Sequence, residues 1–225
     1  MNRRADMNRH VITILLGLAF IAGCSRSELA SGAEVDVASL PDQETWGAVL
    51  YTSENGTPSL SLSAPYMVRF DRADSSYAVF RTDPQAEDTT RVRIRLFDRT
   101  GTIATSIEVD RLLYFDESKR FEGLGSIYAV LHRANNAELR ARSFAYDETD
   151  QVVVISGDVF ITTSDDRQLA TERLVWDMQQ RQFSAEGLFE MTSPSERIQG
   201  YGLFASEDLS RYTFSQASGE FEVEE

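Results

Sequence analysis

The feature that most constrains this chain is an internal repeat of 30 to 32 residues that runs through its second half. Tyr114, Tyr146 and Trp176 each precede a glycine by 11 positions, at Gly125, Gly157 and Gly187, and Gly219 follows 32 residues on. Two residues past these glycines stand Ile127, Val159, Phe189 and Phe221; four past them stand Ala129, Ile161, Met191 and Val223. Upstream, Ile107, Leu139 and Leu169 align, as do Leu112, Phe144 and Leu174. Each unit reads as two strands joined by a polar turn: DESK, DETD or DMQQ.

Parity breaks at the same place in every unit. Ile107 and Val109 share one face by spacing, whereas Leu112 and Tyr114 fall on the opposite parity; Leu139 and Ala141 stand in the same relation to Phe144 and Tyr146. A strand can keep apolar groups on one side through such a break only with a bulge or a corner. The glycines sit beside the break, where a bend or a close backbone approach is expected. Val92, Ile94 and Leu96 alternate with Arg91, Arg93 and Arg95, a period of two, and a turn at Asp98–Gly101 follows. Past residue 60 there is no convincing amphipathic helix. The expected fold class is all-β, a repetitive antiparallel V-shaped β-jelly roll over residues 58–225.

The amino terminus is a different kind of polypeptide. Arg3, Arg4, Arg9 and His10 form a basic stretch, and Val11 to Ala22 follows without a charge. This is the pattern of a secretory signal, and the run is shorter than the ~20 apolar residues that span a bilayer. Ile21-Ala22-Gly23-Cys24 resembles a bacterial lipobox. That resemblance implies cleavage after residue 23 and lipidation of Cys24. The weak periodicity and many small or acidic residues that follow read as a tether, so that residues 24–57 form the lipidated cysteine and tether, with a short strand at Trp46 to Tyr51. Asn55-Gly56 reads as a turn.

The net charge is −14, and removal of residues 1–23 leaves 19 basic and 35 acidic residues, a net −16. So acidic a chain does not bind nucleic acid through a basic surface. The single cysteine excludes a disulfide framework, and two histidines argue against a histidine-rich metal site. No motif for a nucleophile, base or metal stands out; the expectation is a non-enzymatic protein with no cofactor. Asp165-Asp166 falls in an apparent turn, where aspartate is favoured for its backbone hydrogen bonds.

Several segments together resemble the LptC family and its OstA-like relatives. They are Ala64-Pro65-Tyr66, Leu112-Leu113-Tyr114-Phe115-Asp116 running to Gly125, and Phe144-Ala145-Tyr146-Asp147 with Ser156-Gly157-Asp158-Val159. Leu169-Ala170-Thr171, Leu174-Val175-Trp176-Asp177 and Gly200-Tyr201-Gly202-Leu203-Phe204-Ala205 complete the set. The resemblance implies a periplasmic roll that receives lipopolysaccharide from an inner-membrane ABC transporter complex. It would hand the lipid to a periplasmic bridge protein of the same fold, the rolls stacking edge to edge. It also implies attachment at the periplasmic side of the inner membrane, whereas Ser25 after the cysteine favours the outer membrane by a sorting rule of some bacteria. Competing readings are a structural envelope lipoprotein and the sister bridge-type roll.

Under the carrier reading Ile127, Ala129, Val159, Ile161, Phe189, Met191 and Phe221 are the candidates for acyl contact, and Cys24 is the lipid anchor. Periodicity alone is met equally by a closed core and by an open apolar groove. If the column is a groove, Val159→Glu is expected to abolish lipid carriage more than it harms folding.

Overall fold

The computed structural model describes residues 40–72, 75–85, 90–147 and 152–221, with side chains as far as Gln216. Cys24, the signal and the first part of the tether lie outside the described residues. Among the described residues thirteen strands form one antiparallel sheet. The first five are β1 (Gln43–Glu54), β2 (Thr57–Arg72), β3 (Ser75–Arg81), β4 (Val92–Phe97) and β5 (Ile103–Phe115). A meander follows through β6 (Arg120–Leu131), β7 (Ala137–Asp147), β8 (Val152–Thr162), β9 (Gln168–Asp177), β10 (Gln182–Ser193) and β11 (Glu196–Ser206). Two strands close the chain, β12 (Tyr212–Thr213) and β13 (Gln216–Phe221). No helix occurs among the described residues, in agreement with the all-β expectation.

The parity breaks of the repeat are register breaks in the structure. They fall between Val109 and Arg111 where β5 meets β6, Leu124 and Ile127 where β6 meets β7, and Arg140 and Ser143 where β7 meets β8. The line continues at Ser156/Val159, Ser184/Phe189 and Ala185/Leu188. Each of the strands β5–β11 is thereby divided into two arms, and the aligned breaks crease the sheet along one line. We call the two halves leaf 1, which carries Leu112, Tyr146 and Trp176, and leaf 2, which carries Ile127, Val159 and Phe189.

Two glycines make the crease sterically possible. Gly125 (φ +97°) and Gly157 (φ +85°) adopt backbone conformations that L side chains rarely reach. A Cβ on Gly125 would lie 2.6 Å from Asp110 Oδ2, and one on Gly157 2.8 Å from Arg142 Cβ. Polar brackets secure the crease from outside. Asp110 accepts from Arg91 Nε (2.9 Å) and from the Ser126 N–H (2.7 Å), while Arg142 Nε donates to Asp158 (2.7 Å).

The third and fourth glycines of the repeat depart from the first two: Gly187 lies at a register break but has no positive φ and has open space where a Cβ would stand. Gly219 pairs with Ile198 in unbroken register, and the positive-φ glycine of this region is Gly202 (φ +69°) in β11. At both ends of the sheet the crease is crossed by dividing one strand into two. β2 pairs β4 through Leu60–Ser63 and β3 through Tyr66–Arg72, and β5 pairs the same two. β11 likewise pairs β12 and β13. β1 covers the expected Trp46–Tyr51 strand and extends beyond it on both sides, so pairing with β2 reaches into the stretch read as a tether. Asn55 and Gly56 form the joining turn, both with positive φ.

The leaves cover each other. Leu112, Leu174, Phe183 and Leu203 from leaf 1 and Val92, Ile161, Leu169 and Phe189 from leaf 2 belong to one apolar cluster of fully buried side chains. Residues on one face of a single sheet reach such burial only beneath a second layer, and the layer present among the described residues is the other half of the same strands.

Gly125→Val and Gly157→Val should each cost about 2 kcal/mol or more, since they combine a positive φ with a clash against the side chain of Asp110 or Arg142. Urea denaturation of the purified domain checks this, and a loss below about 0.5 kcal/mol would mean that the crease does not need glycine.

Candidate functional site: the interior of the roll

The interior is built from two rows of side chains on each leaf. On leaf 2 the row beside the crease runs Val109, Ile127, Ala141 and, farther along, Val159, Thr171 and Phe189; the next runs Ile107, Ala129, Leu139, Ile161, Leu169 and Met191. On leaf 1 one row runs Leu112, Gly123, Phe144, Ile155 and Leu174, and the outer row runs Tyr114, Phe121, Tyr146, Val153, Trp176 and Phe183. The repeated spacing in the sequence therefore appears as columns that cross the sheet from strand to strand.

Six of the seven acyl-contact candidates lie side by side in these rows. Ile127, Ala129, Val159, Ile161, Phe189 and Met191 are all 4% exposed or less. Phe221 ends β13, opposite Glu196, and its side chain lies outside the described residues. The structure packs the column as a filled interior, not as an open trough. At 1% exposure Val159 has no water to which a glutamate could turn, so Val159→Glu would bury an unpaired charge and harm folding directly. That substitution does not separate carriage from folding as the periodicity alone suggested.

Sealing is uneven along the roll. In the outer row of leaf 1, Tyr114, Phe121 and Tyr146 are half-buried while Val153, Trp176 and Phe183 are buried. In leaf 2, Leu60, Leu96 and Ile107 are half-buried, whereas Leu139, Ile161, Leu169 and Met191 are not reached by solvent. Tyr114 and Phe121 pack ring against ring at 4.5 Å, and Phe121 and Tyr146 at 6.3 Å, making an aromatic shelf on β5, β6 and β7. Lys119 Nζ stands 6.0 Å from the Tyr114 ring centroid. Arg69 Nη2 donates to Asp116 at 2.5 Å beside it; that bond raises the guanidinium's affinity for its proton. The shelf went unrecognised as a site in the sequence because Tyr114 and Tyr146 read there as markers of the repeat.

At the other end, polar contacts join the two leaves. Buried Glu207 accepts from Trp176 Nε1 (2.8 Å) and Arg181 Nε (2.9 Å). Arg181 Nη2 reaches the carbonyl of Arg133 (3.3 Å), and Arg133 pairs with Asp98. Tyr212 Oη donates to Glu196; burial and that bond push its phenol up to about 12. Asp208 is partly buried, which by itself disfavours its charge. Hydrogen bonds from the Ser206 and Ser210 hydroxyls and from the Ser210 N–H outweigh burial and hold its carboxyl at about 2.

Other expectations find simple places. Asp165 caps a turn, accepting from Thr163 Oγ1 at 2.5 Å, and Asp166 has positive φ. Arg91 and Arg93 pair with Glu108 and Asp110 on the outer face. His132 is exposed and meets Ser106 Oγ at 3.0 Å.

Fold and interior together define a folded-over β-roll whose apolar interior is buried at one end and partly exposed at the other. The family model described as Lipopolysaccharide-assembly, LptC-related, matches residues 81–219, more than half of the chain. The chain belongs to the LptC family, and thereby to lipopolysaccharide transport in the cell envelope. No curated protein matches it in sequence.

Two measurements follow from the uneven sealing. Phe189→Ala should cost about 3–5 kcal/mol of stability and Phe121→Ala only about 1–2 kcal/mol, because the shelf is already half in water; equal losses would contradict the gradient. Asp208 carries a depressed carboxyl, so its stabilising effect is complete above the ordinary value of 3.8 and lost as pH falls through about 2. The protection of the Leu209 and Ser210 amides against exchange, relative to their intrinsic rates at each pH, should fall over that window, and unchanged protection would remove Asp208 as the loop's fastener.

Proposed function

We propose that this chain is an envelope lipoprotein that holds the acyl chains of lipopolysaccharide between the leaves of its roll. It receives them from an inner-membrane ABC transporter and passes them to a periplasmic bridge protein of the same fold. Residues 1–23 act as its signal peptide, Cys24 as its lipid anchor, and residues preceding the roll as its tether. The inner membrane is the site of attachment under this reading. The observation that carries it is the apolar interior with one partly exposed end, in a chain of the LptC family.

The physical need is large. Exposing a 12-carbon chain to water costs on the order of 10 kcal/mol at about 0.8 kcal/mol per methylene. A carrier meets that cost with apolar lining and no reactive group. The aromatic shelf supplies partly exposed apolar surface onto which a first chain can dock, and Lys119 at its rim offers a cation to an anionic headgroup. β1 pairs only with β2 among the described residues. Its Val49 (60% exposed), Leu50 (47%) and Tyr51 (69%) give an unpaired edge on which a strand of a neighbouring roll can add.

One observation favours a second reading. The candidate column is packed as tightly as an ordinary core, which is also what a structural envelope lipoprotein would need. Photocrosslinking residues placed at Phe121 and Phe189 in cells distinguish the two. The carrier reading predicts lipopolysaccharide adducts at both positions that require ATP hydrolysis by the transporter. Adducts at neither position would leave the structural reading in place.

A further inference from the structure

The loop Ser206–Arg211 between β11 and β12 is built in an unusual way. Among the described non-glycine residues with positive φ, seven are Asn, Asp, Lys or Arg; the eighth is Leu209 (φ +54°). A bulky apolar residue in this region is strained, and strain persists where the surroundings enforce it. Here the enforcing contact is burial: Leu209 is 0% exposed and belongs to the main apolar cluster. The Thr163–Arg167 turn offers an internal comparison. It has the same fastening, a hydroxyl bonded to an aspartate two residues on, but places Asp166 at its positive-φ position.

The loop is tied down at several points. Glu207 bonds Trp176 and Arg181, its N–H donates to the Arg181 carbonyl (3.3 Å), and the Ser206 N–H donates to the Arg211 carbonyl (2.9 Å). Arg181 in turn reaches Arg133 on the opposite leaf. A plug side chain, a buried carboxylate clasp and a cross-leaf contact thus coincide at the sealed end. Beside them lies a surface cavity of about 460 Å³, bordered by Gln180, Phe204, Glu207 and Arg211, which leaves the loop space to shift.

We propose that Ser206–Arg211 is a strap that closes the apolar interior at this end, with Leu209 occupying the volume of an acyl chain. The strap is released when lipid fills the roll. This rests on the carrier reading, because the displacing ligand is a lipid acyl chain. In the closed state Leu209 and Glu207 compete with cargo, so apparent affinity is lowered by the fraction of molecules in which the strap is open.

Trp176 provides a reporter, since the chain has two tryptophans and Trp46→Phe leaves the one that bonds Glu207. In the full chain with that substitution, titration with purified lipopolysaccharide should shift Trp176 emission to the red and increase its quenching by acrylamide. Leu209→Ser should strengthen apparent binding by about tenfold. Glu207→Gln, which retains an acceptor for the indole while removing the Arg181 ion pair, should act in the same direction if the serine variant fails to fold. Binding with unchanged Trp176 emission, or variants that fold and bind no more tightly, would overturn the strap while leaving the carrier reading intact. If the parent chain binds no lipopolysaccharide at all, the carrier reading falls, and the strap with it.

Discussion

The crease is the constraint on which the rest of this structure depends. Thirteen strands in one open sheet would leave a whole apolar face in water. By breaking register along one line, the chain lays half of each long strand over the other half and covers that face with itself. The break recurs at the same level through β5–β11, because one unbent strand would pull its neighbours straight through the hydrogen-bond ladder. Gly125 and Gly157 make the close approach possible, and the Arg91–Asp110–Ser126 and Arg142–Asp158 brackets hold the strained backbone from the solvent side.

Under the carrier reading, the same geometry lets one interior serve as both core and binding site. A two-layer roll has no third element to stabilise it, so its interior must be packed when empty. It is also closed only along the crease. The opposite seam is held by side chains: by Trp176, Glu207, Arg181 and Tyr212 at one end, while at the other a half-buried shelf of Tyr114, Phe121 and Tyr146 meets solvent. Separating leaves along such a seam breaks side-chain contacts and leaves the strand ladders intact, which suits the proposed carrier, whose interior must admit a bulky lipid without unfolding.

Much of this was legible in the sequence. The crease was, because a parity change repeated at constant spacing has no other simple explanation, and the columns of Ile127, Val159 and Phe189 followed from it. The fourth glycine misled: spacing pointed to Gly219, but β11 bends near Gly202 because its partner is divided into two short strands, which periodicity does not record. The extent of β1 was obscured by exposure, since a strand with few buried positions shows no alternation. Leu209 was invisible for a related reason. A lone leucine between Asp208 and Ser210 belongs to no period, and only its burial and positive φ mark it out. Neither core nor groove could be chosen from spacing, because both require the same inward residues.

Under the carrier reading, lipid occupies the space now filled by the inward columns. The most direct measurement is of intermolecular NOEs between the acyl methylenes of bound lipopolysaccharide and the side chains of the isotope-labelled protein. The account predicts contacts to the methyl groups of Ile127, Val159 and Ile161, which face the interior. Contacts confined to outward groups such as Leu188 and Tyr201, with the inward methyls unperturbed, would contradict it.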